Sequence, residues 1–251
     1  MGKATFYFHK DLDMFLSEKS KEGCVSIDIR GHETVKHIIE SLGIPHTEVD
    51  VILVNGVSKD FSWQPVDGDK IDVYPEQHDW FTCEVTKLQP ELKGKPQFVL
   101  DGHLGKLTGY LRLLGFDSKY QNEIMDDELA EISSDEGRIL LTRDRGVLKR
   151  AIVVSGYFVR STEPRDQVKE LVNKFSLEKY AEPFSRCVKC NGILQAVSKG
   201  KVFDRLEPKT KLYYNDFKIC SACSQIYWKG SHFEEIEAFI EKLLGEKAPY
   251  D

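Results

Sequence analysis

The sequence predicts a multidomain α/β protein, and three features of the chain support this. Strand-like and helix-like segments alternate between residues 97 and 175, the pattern of a parallel sheet covered by helices. The first 80 residues carry a denser set of strands around one helix. Two CxxC pairs follow nearer the C-terminus, and their spacing is typical of a small metal-binding ribbon. A length of 251 residues accommodates two or three such domains.

The first segment has the element order of a β-grasp, ubiquitin-like domain. Alternating apolar residues predict strands at 3–9 and 24–29, and one apolar face predicts a helix at 33–43. The stretch VDVILVNG predicts a strand that ends in an Asn-Gly turn, and DGDKIDVYP predicts another strand. Strand, strand, helix, strand, strand within 80 residues is the β-grasp order.

The last two strands of this segment resemble those of small sulfur-carrier proteins with the same fold. Those carriers end in a Gly-Gly tail, whereas Pro75 is followed here by Glu76, Gln77 and His78. Carrier chemistry is therefore not expected. The two remaining interpretations are a docking or RNA-contact domain and a stabilising appendage.

Charge is distributed unevenly along the chain. The formal net charge is −6, but residues 1–80 hold 8 Lys+Arg against 15 Asp+Glu, and the remainder holds 27 against 26. The acidity thus belongs to the first segment, and a local basic surface elsewhere is compatible with an RNA partner. No stretch approaches the ~20 apolar residues of a membrane span, and the N-terminus lacks a signal peptide's apolar region. We expect a cytoplasmic protein without membrane contact.

The α/β region follows a segment, 80–97, whose Pro, Gly and Lys residues predict a linker. Predicted strands and helices alternate along the region in the order strand 97–100, helix 103–114, strand 116–120, helix 126–137, strand 138–142, helix 145–156, strand 157–161 and helix 163–175. The predicted domains are a β-grasp domain at 1–80, an α/β domain at 95–180, a ribbon at 181–235, and a C-terminal helix with a tail at 236–251.

Acidic residues follow the predicted strands of the α/β domain. Asp101 comes directly after the first strand, Asp144 lies two residues past the third, and Asp126 or Asp127 is the predicted N-cap of the helix after the second. Ligand crevices in such sheets lie beyond the carboxyl ends of the strands. Carboxylates gathered there repel one another unless a cation such as Mg²⁺ or Mn²⁺ neutralises them, and that chemistry suits phosphodiester hydrolysis. The alternative is structural, because aspartate at a helix N-cap is common.

Four cysteines form two pairs, CVKC at Cys187 and Cys190 and CSAC at Cys220 and Cys223. Two knuckles of this spacing predict a structural Zn²⁺ site of the zinc-ribbon type. A redox pair and a disulfide framework are the rival interpretations. Both are weaker, since the chain shows no secretory signal and no thioredoxin-like context.

Long ordered motifs now point to a family. FVLDGHLGKLTGYLRLLGFD, DDELAEISSDEGRILLTRDRGVLKR, FSRCVKCNGIL and CSACSQIYWKGSHFEEI together resemble the Mut-seven C-terminal RNase domain family. In that family a PIN-like nuclease core precedes a zinc ribbon, and bacterial members often carry a ubiquitin-like domain in front. The resemblance implies a PIN-like parallel sheet with flanking helices at 95–180 and a metal-dependent ribonuclease.

The resemblance also implies roles for individual acids. Asp101 of the LDGHLGKL motif and Asp144 of LLTRDR match metal-binding positions. Asp127 of DDEL is the preferred third acid, with Asp126 as the alternate and Glu128 behind them. The fourth acid usual in PIN-like sites is not assigned.

Basic residues near these acids are expected to hold the RNA backbone. They are Arg112, Arg143, Arg145, Lys149 and Arg150. Phosphate contacts of this kind position a strand without reading its sequence. Tyr227 and Trp228 are candidates for base stacking or for the ribbon core, and core is preferred for Trp228.

Two function classes therefore compete. The first is a metal-dependent ribonuclease whose acids are Asp101, Asp127 and Asp144. The second is a non-catalytic RNA- or ribosome-binding adaptor that retains the PIN-like fold, with protein or ribosome contacts through the ubiquitin-like domain. A small-molecule phosphatase is less favoured, because no phosphate-binding Gly-rich loop accompanies the acids.

Overall fold

The chain folds into two compact units, each assembled from two separate stretches. Met1–Leu92 joins Met125–Phe158 in the first unit, and Lys93–Ile124 joins Val159–Asp251 in the second. Each unit therefore contains parts of more than one of the contiguous domains that the sequence predicts. The computed structural model describes residues 2–17, 23–75, 85–231 and 233–245.

The N-terminal part of the first unit is a five-stranded β-grasp sheet with one helix. Its elements are β1 (Gly2–Phe8), β2 (Cys24–Ile29), α1 (Val35–Ser41), β3 (Val51–Val54), β4 (Val57–Lys59) and β5 (Lys70–Tyr74). The strand order is β2-β1-β5-β3-β4, with β1 parallel to β5 and the other neighbours antiparallel. This confirms the predicted β-grasp fold.

Strand β4 is the element that the sequence analysis missed. It follows a tight turn in which Asn55 and Gly56 both have positive φ, at 49° and 81°. Asn and Gly tolerate that conformation, which is why they favour two-residue hairpins. The strand has only three residues and none of them is buried, so it leaves little hydrophobic pattern to detect.

The rest of the first unit contains parallel strands and flanking helices. Its elements are α3 (Asp126–Glu136), β8 (Ile139–Thr142), α4 (Arg145–Leu148) and β9 (Gly156–Phe158). Strands β8 and β9 pair in parallel, and all four residues of β8 are buried. Gly137 ends α3 in the left-handed conformation, which glycine adopts without steric cost.

Helix α4 is much shorter than the helix predicted at 145–156. It ends after one turn at Leu148, and Val153 is buried within the connection that follows. The β-branched residues at 152–154 lower helix propensity. Gly156 also lies so close to α4 that an added Cβ would meet Leu148 at 2.6 Å. Close packing of α4 on the start of β9 therefore replaces a longer helix.

The β-grasp domain packs against this α4–β9 region within the first unit. Glu48, only 6% exposed, accepts a hydrogen bond from the backbone N–H of Phe158 at 2.7 Å. His46 Nε2 lies 2.9 Å from the carbonyl oxygen of Val153, and its Nδ1 lies 2.8 Å from Glu40. The rings of Phe15 and Phe158 meet edge to face. The contact therefore combines buried polar bonds with aromatic packing.

Part of the predicted linker also belongs to the first unit. The backbone N–H of Leu88 donates to the carbonyl of Asp50 at 2.8 Å, and Gln89 Nε2 donates to the carbonyl of Val49 at 2.6 Å. Residues 85–92 thus bind the β-grasp domain, while residues 76–84 lie outside the described part of the chain.

The second unit combines a parallel strand pair, three longer helices and an antiparallel ribbon. Its strand pair is β6 (Phe98–Leu100) with β7 (Ser118–Tyr120), and its longer helices are α2 (Gly105–Leu113), α5 (Pro164–Phe175) and α8 (Phe233–Gly245). The ribbon has the order β10-β11-β12, formed by Leu194–Val197, Phe217–Cys220 and Ile226–Trp228. The parallel pairs with flanking helices confirm the predicted α/β class.

The segment between β10 and β11 contains two helices. Within KLYYNDFKIC, the residues KLY end helix α7 (Pro208–Tyr213), and the last four residues form β11. A first helix, α6 (Lys199–Val202), precedes it. Pro208 stands in the first turn of α7, where its missing N–H is tolerated.

No helix in the described part of the chain is both long and apolar enough to cross a membrane.

The buried Glu48 contact gives a stability prediction. Glu48→Ala removes the acceptor of the Phe158 N–H, and an unsatisfied buried donor costs about 1–3 kcal/mol. We expect the free energy of unfolding in urea to fall by that amount. Glu131→Ala, at an exposed position of α3, is the control and should change it by less than ~0.5 kcal/mol. Equal stability of the two variants would contradict the contact.

Candidate active site and cysteine cluster

Asp101 lies in the second unit, directly after β6. Its carboxylate accepts the backbone N–H of His103 at 3.2 Å and begins a short 3-10 helix, Gly102–Leu104, that leads into α2. A Cβ at Gly102 would approach the carbonyl oxygen of Asn122 to 2.4 Å. The glycine after Asp101 therefore lets the turn pack against the loop that follows β7.

Asp144 lies in the first unit, two residues beyond β8. It is the N-cap of α4, and its Oδ1 accepts the N–H of Gly146 at 2.6 Å. Its own N–H donates to Thr142 Oγ1 at 2.9 Å. Both hydrogen bonds are local, so the loop conformation that presents Asp144 is encoded within five residues.

Asp126 and Asp127 are the first residues of α3, and neither is its N-cap. That position belongs to Met125, whose side chain makes no capping bond, so the N-cap prediction is wrong. Acidic side chains in the first turn still interact favourably with the helix dipole. Arg150 forms an ion pair with Asp127, and its other terminal nitrogen lies 3.9 Å from Asp126.

Two of the expected RNA-binding cations are engaged within the first unit. Arg145 donates to the carbonyl of Phe15 at 2.8 Å, and its guanidinium carbon lies 4.9 Å from the centre of the Phe15 ring. Lys149 Nζ donates to the carbonyl of Glu40 at 2.7 Å. Burial lowers the pKa of Lys149, and the negative charge of Glu40 opposes that shift. Both side chains tie α4 to the β-grasp domain, and their expected contact with RNA stays a prediction.

Arg112, which the sequence also predicts to contact RNA, makes structural contacts within the second unit. It is 6% exposed and lies on α2. Its guanidinium donates twice to the carbonyl of Ser118 and once each to the carbonyls of Val188 and Lys189, at 2.7–3.1 Å. Burial lowers the pKa of Arg112, while the nearby Cys187, Cys190 and Asp117 act in the opposite direction. A guanidinium group is planar and has five N–H donors, so one arginine can bind several carbonyl oxygens at once.

The four cysteines converge at the ribbon. The sulfur atoms of Cys187 and Cys223 are 3.6 Å apart, those of Cys190 and Cys220 are 3.4 Å apart, and all four lie within 4.8 Å of one another. Tetrahedral Zn²⁺ with sulfur ligands requires separations of about 3.8 Å. Cys187 and Cys220 are buried. The predicted cluster therefore forms, and it could hold a metal such as zinc.

Two residues around the cluster were not assigned from the sequence. The Tyr227 hydroxyl lies 3.1 Å from the Cys187 sulfur. A Cβ at Gly192 would lie 2.8 Å from the Cys220 sulfur and 3.4 Å from that of Cys190. In the sequence, the position of Gly192 two residues after the CVKC pair could have indicated this close packing. Trp228 is 39% exposed and packs beside Phe217, so it belongs partly to the ribbon's apolar cluster.

Residues 96–240 match the Mut7-C RNAse domain. The chain belongs to the Mut7-C RNAse domain family. Residues 1–80 match a second family, Mut7-C ubiquitin, so the predicted architecture of this Mut7-C chain is confirmed. No curated protein matches it.

Two solved structures are similar to the N-terminal part of this Mut7-C chain. Both are crystal structures of small archaeal modifier protein 1 from Haloferax volcanii, each 17% identical with a TM-score of 0.25. They cover 30% and 32% of this chain, and 98% and 100% of the modifier protein.

The short distance between Gly192 and two of the cysteine sulfurs gives a prediction about metal binding. Gly192→Ala places a methyl group against two of the four sulfurs and 2.9 Å from the Cβ of Ala222. We expect purified protein to carry less metal by elemental analysis and to melt at a lower temperature, since metal binding is coupled to folding.

Gly200→Ala is the matched control for this substitution. An added Cβ at Gly200 meets nothing within 4 Å, and alanine favours the helical conformation of α6. Its metal content and melting temperature should equal or exceed those of the unsubstituted protein. Full metal content in Gly192→Ala would show that the four sulfurs do not hold the ion.

Proposed function

We propose that this Mut7-C chain is a metal-dependent ribonuclease that hydrolyses RNA phosphodiester bonds using Asp101, Asp127 and Asp144. One observation carries the proposal. Within the residues that match the RNase family, Asp101 and Asp144 each follow the carboxyl end of a parallel-paired strand. That is the position at which open α/β sheets place their ligands.

The proposal assigns a hard divalent cation to the three residues because of the type of their donor atoms. Carboxylate oxygens are the ligands that Mg²⁺ and Mn²⁺ prefer, so Asp101, Asp127 and Asp144 would hold the ion. When bound, such a cation supplies an activated water and stabilises developing charge on the phosphate.

The chain's own residues contribute positioning and charge balance. Local hydrogen bonds to Oδ1 orient Asp101 and Asp144. Arg150 neutralises the charge of Asp127. In this proposal Arg150 and the exposed Arg143 also bind RNA phosphates. Such contacts position the backbone without selecting a sequence.

The cysteine cluster completes the proposed enzyme as a structural Zn²⁺ site. Four sulfur ligands leave no open coordination position, which is characteristic of structural zinc. The same proposal takes RNA as the substrate, the cytoplasm as the location, and a protein or the ribosome as the partner of the ubiquitin-like domain.

A non-catalytic RNA-binding adaptor is the second candidate. The observation that favours it is the pairing of Arg150 with Asp127, which already neutralises one proposed ligand by a protein cation. An adaptor would bind RNA and leave it intact in the presence of Mn²⁺.

Asp144→Asn separates the two candidates. Asparagine is as good an N-cap as aspartate, so the α4 cap should survive and the free energy of unfolding should change by less than ~0.5 kcal/mol. The lost charge removes a metal ligand. Substituting a residue that only hydrogen-bonds to a metal ligand lowers metal affinity or activity about 10–100-fold. For loss of a ligand itself, we expect the rate of Mn²⁺-dependent cleavage of labelled RNA to fall more than ~100-fold.

Glu131→Gln is the control for this experiment, because it removes a carboxylate from the exposed surface of α3. It should cleave at the unsubstituted rate. All three proteins are purified in parallel so that contaminating nuclease would appear equally in each. Equal cleavage by the Asp144 variant and the unsubstituted chain would reject the proposed site, and absence of cleavage in all three would favour the adaptor.

A further inference from the structure

The insertion between β10 and β11 exposes apolar side chains that its own fold could have buried. Leu212 and Tyr213, adjacent on α7, are each 75% exposed, and Phe203 is 44% exposed. A single exposed apolar residue is ordinary. Three of them within eleven residues form a surface that calls for a partner.

The insertion is nevertheless firmly built. Val202 and Leu206 are buried with Phe217 and Ile226 of the ribbon strands, and Tyr214 packs against the same cluster. Arg205 donates to the carbonyl of Ser224 at 2.6 Å. The exposed side chains therefore stand on a fixed scaffold, and their exposure does not result from loose packing.

The insertion also carries positive charge. Residues 199–213 contain five basic residues against two acidic ones, a net charge of +3 in a chain whose net charge is −6. Lys211 Nζ lies 4.7 Å from the centre of the Phe203 ring, so a cation and an aromatic ring share one site. Lys209, two residues before it on α7, is exposed. A polyanion with flat apolar groups would complement this combination.

We propose that the α6–α7 insertion is a binding surface for single-stranded RNA, with a base stacked on Tyr213 and phosphates held by Lys209 and Lys211. Single strands present unstacked bases, and aromatic side chains stack on them with little regard to sequence. Lysines beside the rings supply the counter-charge for the backbone. The proposal rests on the proposed function only in taking RNA as the ligand, since the surface contains none of the three aspartates.

The test uses the full chain carrying Asp144→Asn, so that binding is measured without cleavage. Fluorescence anisotropy follows a labelled oligouridylate of about 12 nucleotides, a length within the range that single-strand binding sites cover. Tyr213→Ala should weaken binding at least about fivefold, and Tyr213→Phe, which keeps the ring, should bind like the parent.

Leu212→Ala is the matched control, because Leu212 is as exposed as Tyr213 but has no aromatic face. It should weaken binding clearly less than Tyr213→Ala does, because only an aromatic ring stacks on a base. The charge test is the double variant Lys209→Ala/Lys211→Ala. It should reduce the slope of log affinity against log salt by about 0.7 for each phosphate that a lysine no longer neutralises. Lys179→Ala, exposed elsewhere in the second unit, should leave the slope unchanged.

Three outcomes would overturn the proposal. They are failure of the parent to bind the oligonucleotide, unchanged affinity in Tyr213→Ala, and equal weakening by Leu212→Ala and Tyr213→Ala, which would show that affinity depends on apolar surface in general and not on base stacking. Cleavage by the chain with Asp144 intact is measured separately. If binding depends on Tyr213 but no RNA is cleaved, the ribonuclease proposal is rejected and the binding surface is supported. If RNA is cleaved but binding does not depend on Tyr213, the binding surface is rejected and the ribonuclease proposal is supported.

Discussion

The carboxylate of Glu48 is the contact on which the arrangement of the first unit depends. Burying a charged group is costly unless hydrogen bonds compensate it, and here one compensating donor is the N–H of Phe158 at the end of β9. His46 adds a bond to the Val153 carbonyl. Together these interactions fix the β-grasp domain against the region that contains α4. Because Asp144 caps α4, the loop carrying one proposed metal ligand is held by a domain that precedes the nuclease motifs in sequence.

A comparable constraint operates in the second unit through Arg112. The same guanidinium binds the carbonyl of Ser118 on β7 and the carbonyls of Val188 and Lys189 inside the first cysteine knuckle. Helix α2 begins four residues after Asp101. The cysteine cluster and the helix behind a proposed catalytic residue are thus linked by one buried side chain, and loss of the metal would disturb more than the ribbon.

Local patterns predicted most of the fold, and tertiary contacts account for what they missed. Hydrophobic alternation located the main strands, Gly137 ended α3, and the two CxxC pairs located the cluster. The pattern could not show that the helix after Asp144 would stop at Leu148, since packing against Gly156 decides this. Charge was the least informative signal. Charge alone does not distinguish Arg112, Arg145 and Lys149 from basic residues on the surface. The carbonyl groups that they bind lie in segments distant in sequence or in the turn of another element, so the local sequence does not reveal them.

Neither unit is contiguous in the chain, and this affects how the protein emerges from the ribosome. The first unit needs Met125–Phe158 to join Met1–Leu92, and the second needs Val159–Asp251 to join Lys93–Ile124. Glu48 therefore gains the N–H of Phe158 only after that residue has been synthesised, and Arg112 gains the carbonyls of Val188 and Lys189 later still. Contacts of such long sequence separation slow folding, and apolar surface is exposed meanwhile. Nascent chains of this architecture should accordingly depend on chaperones until translation is nearly finished.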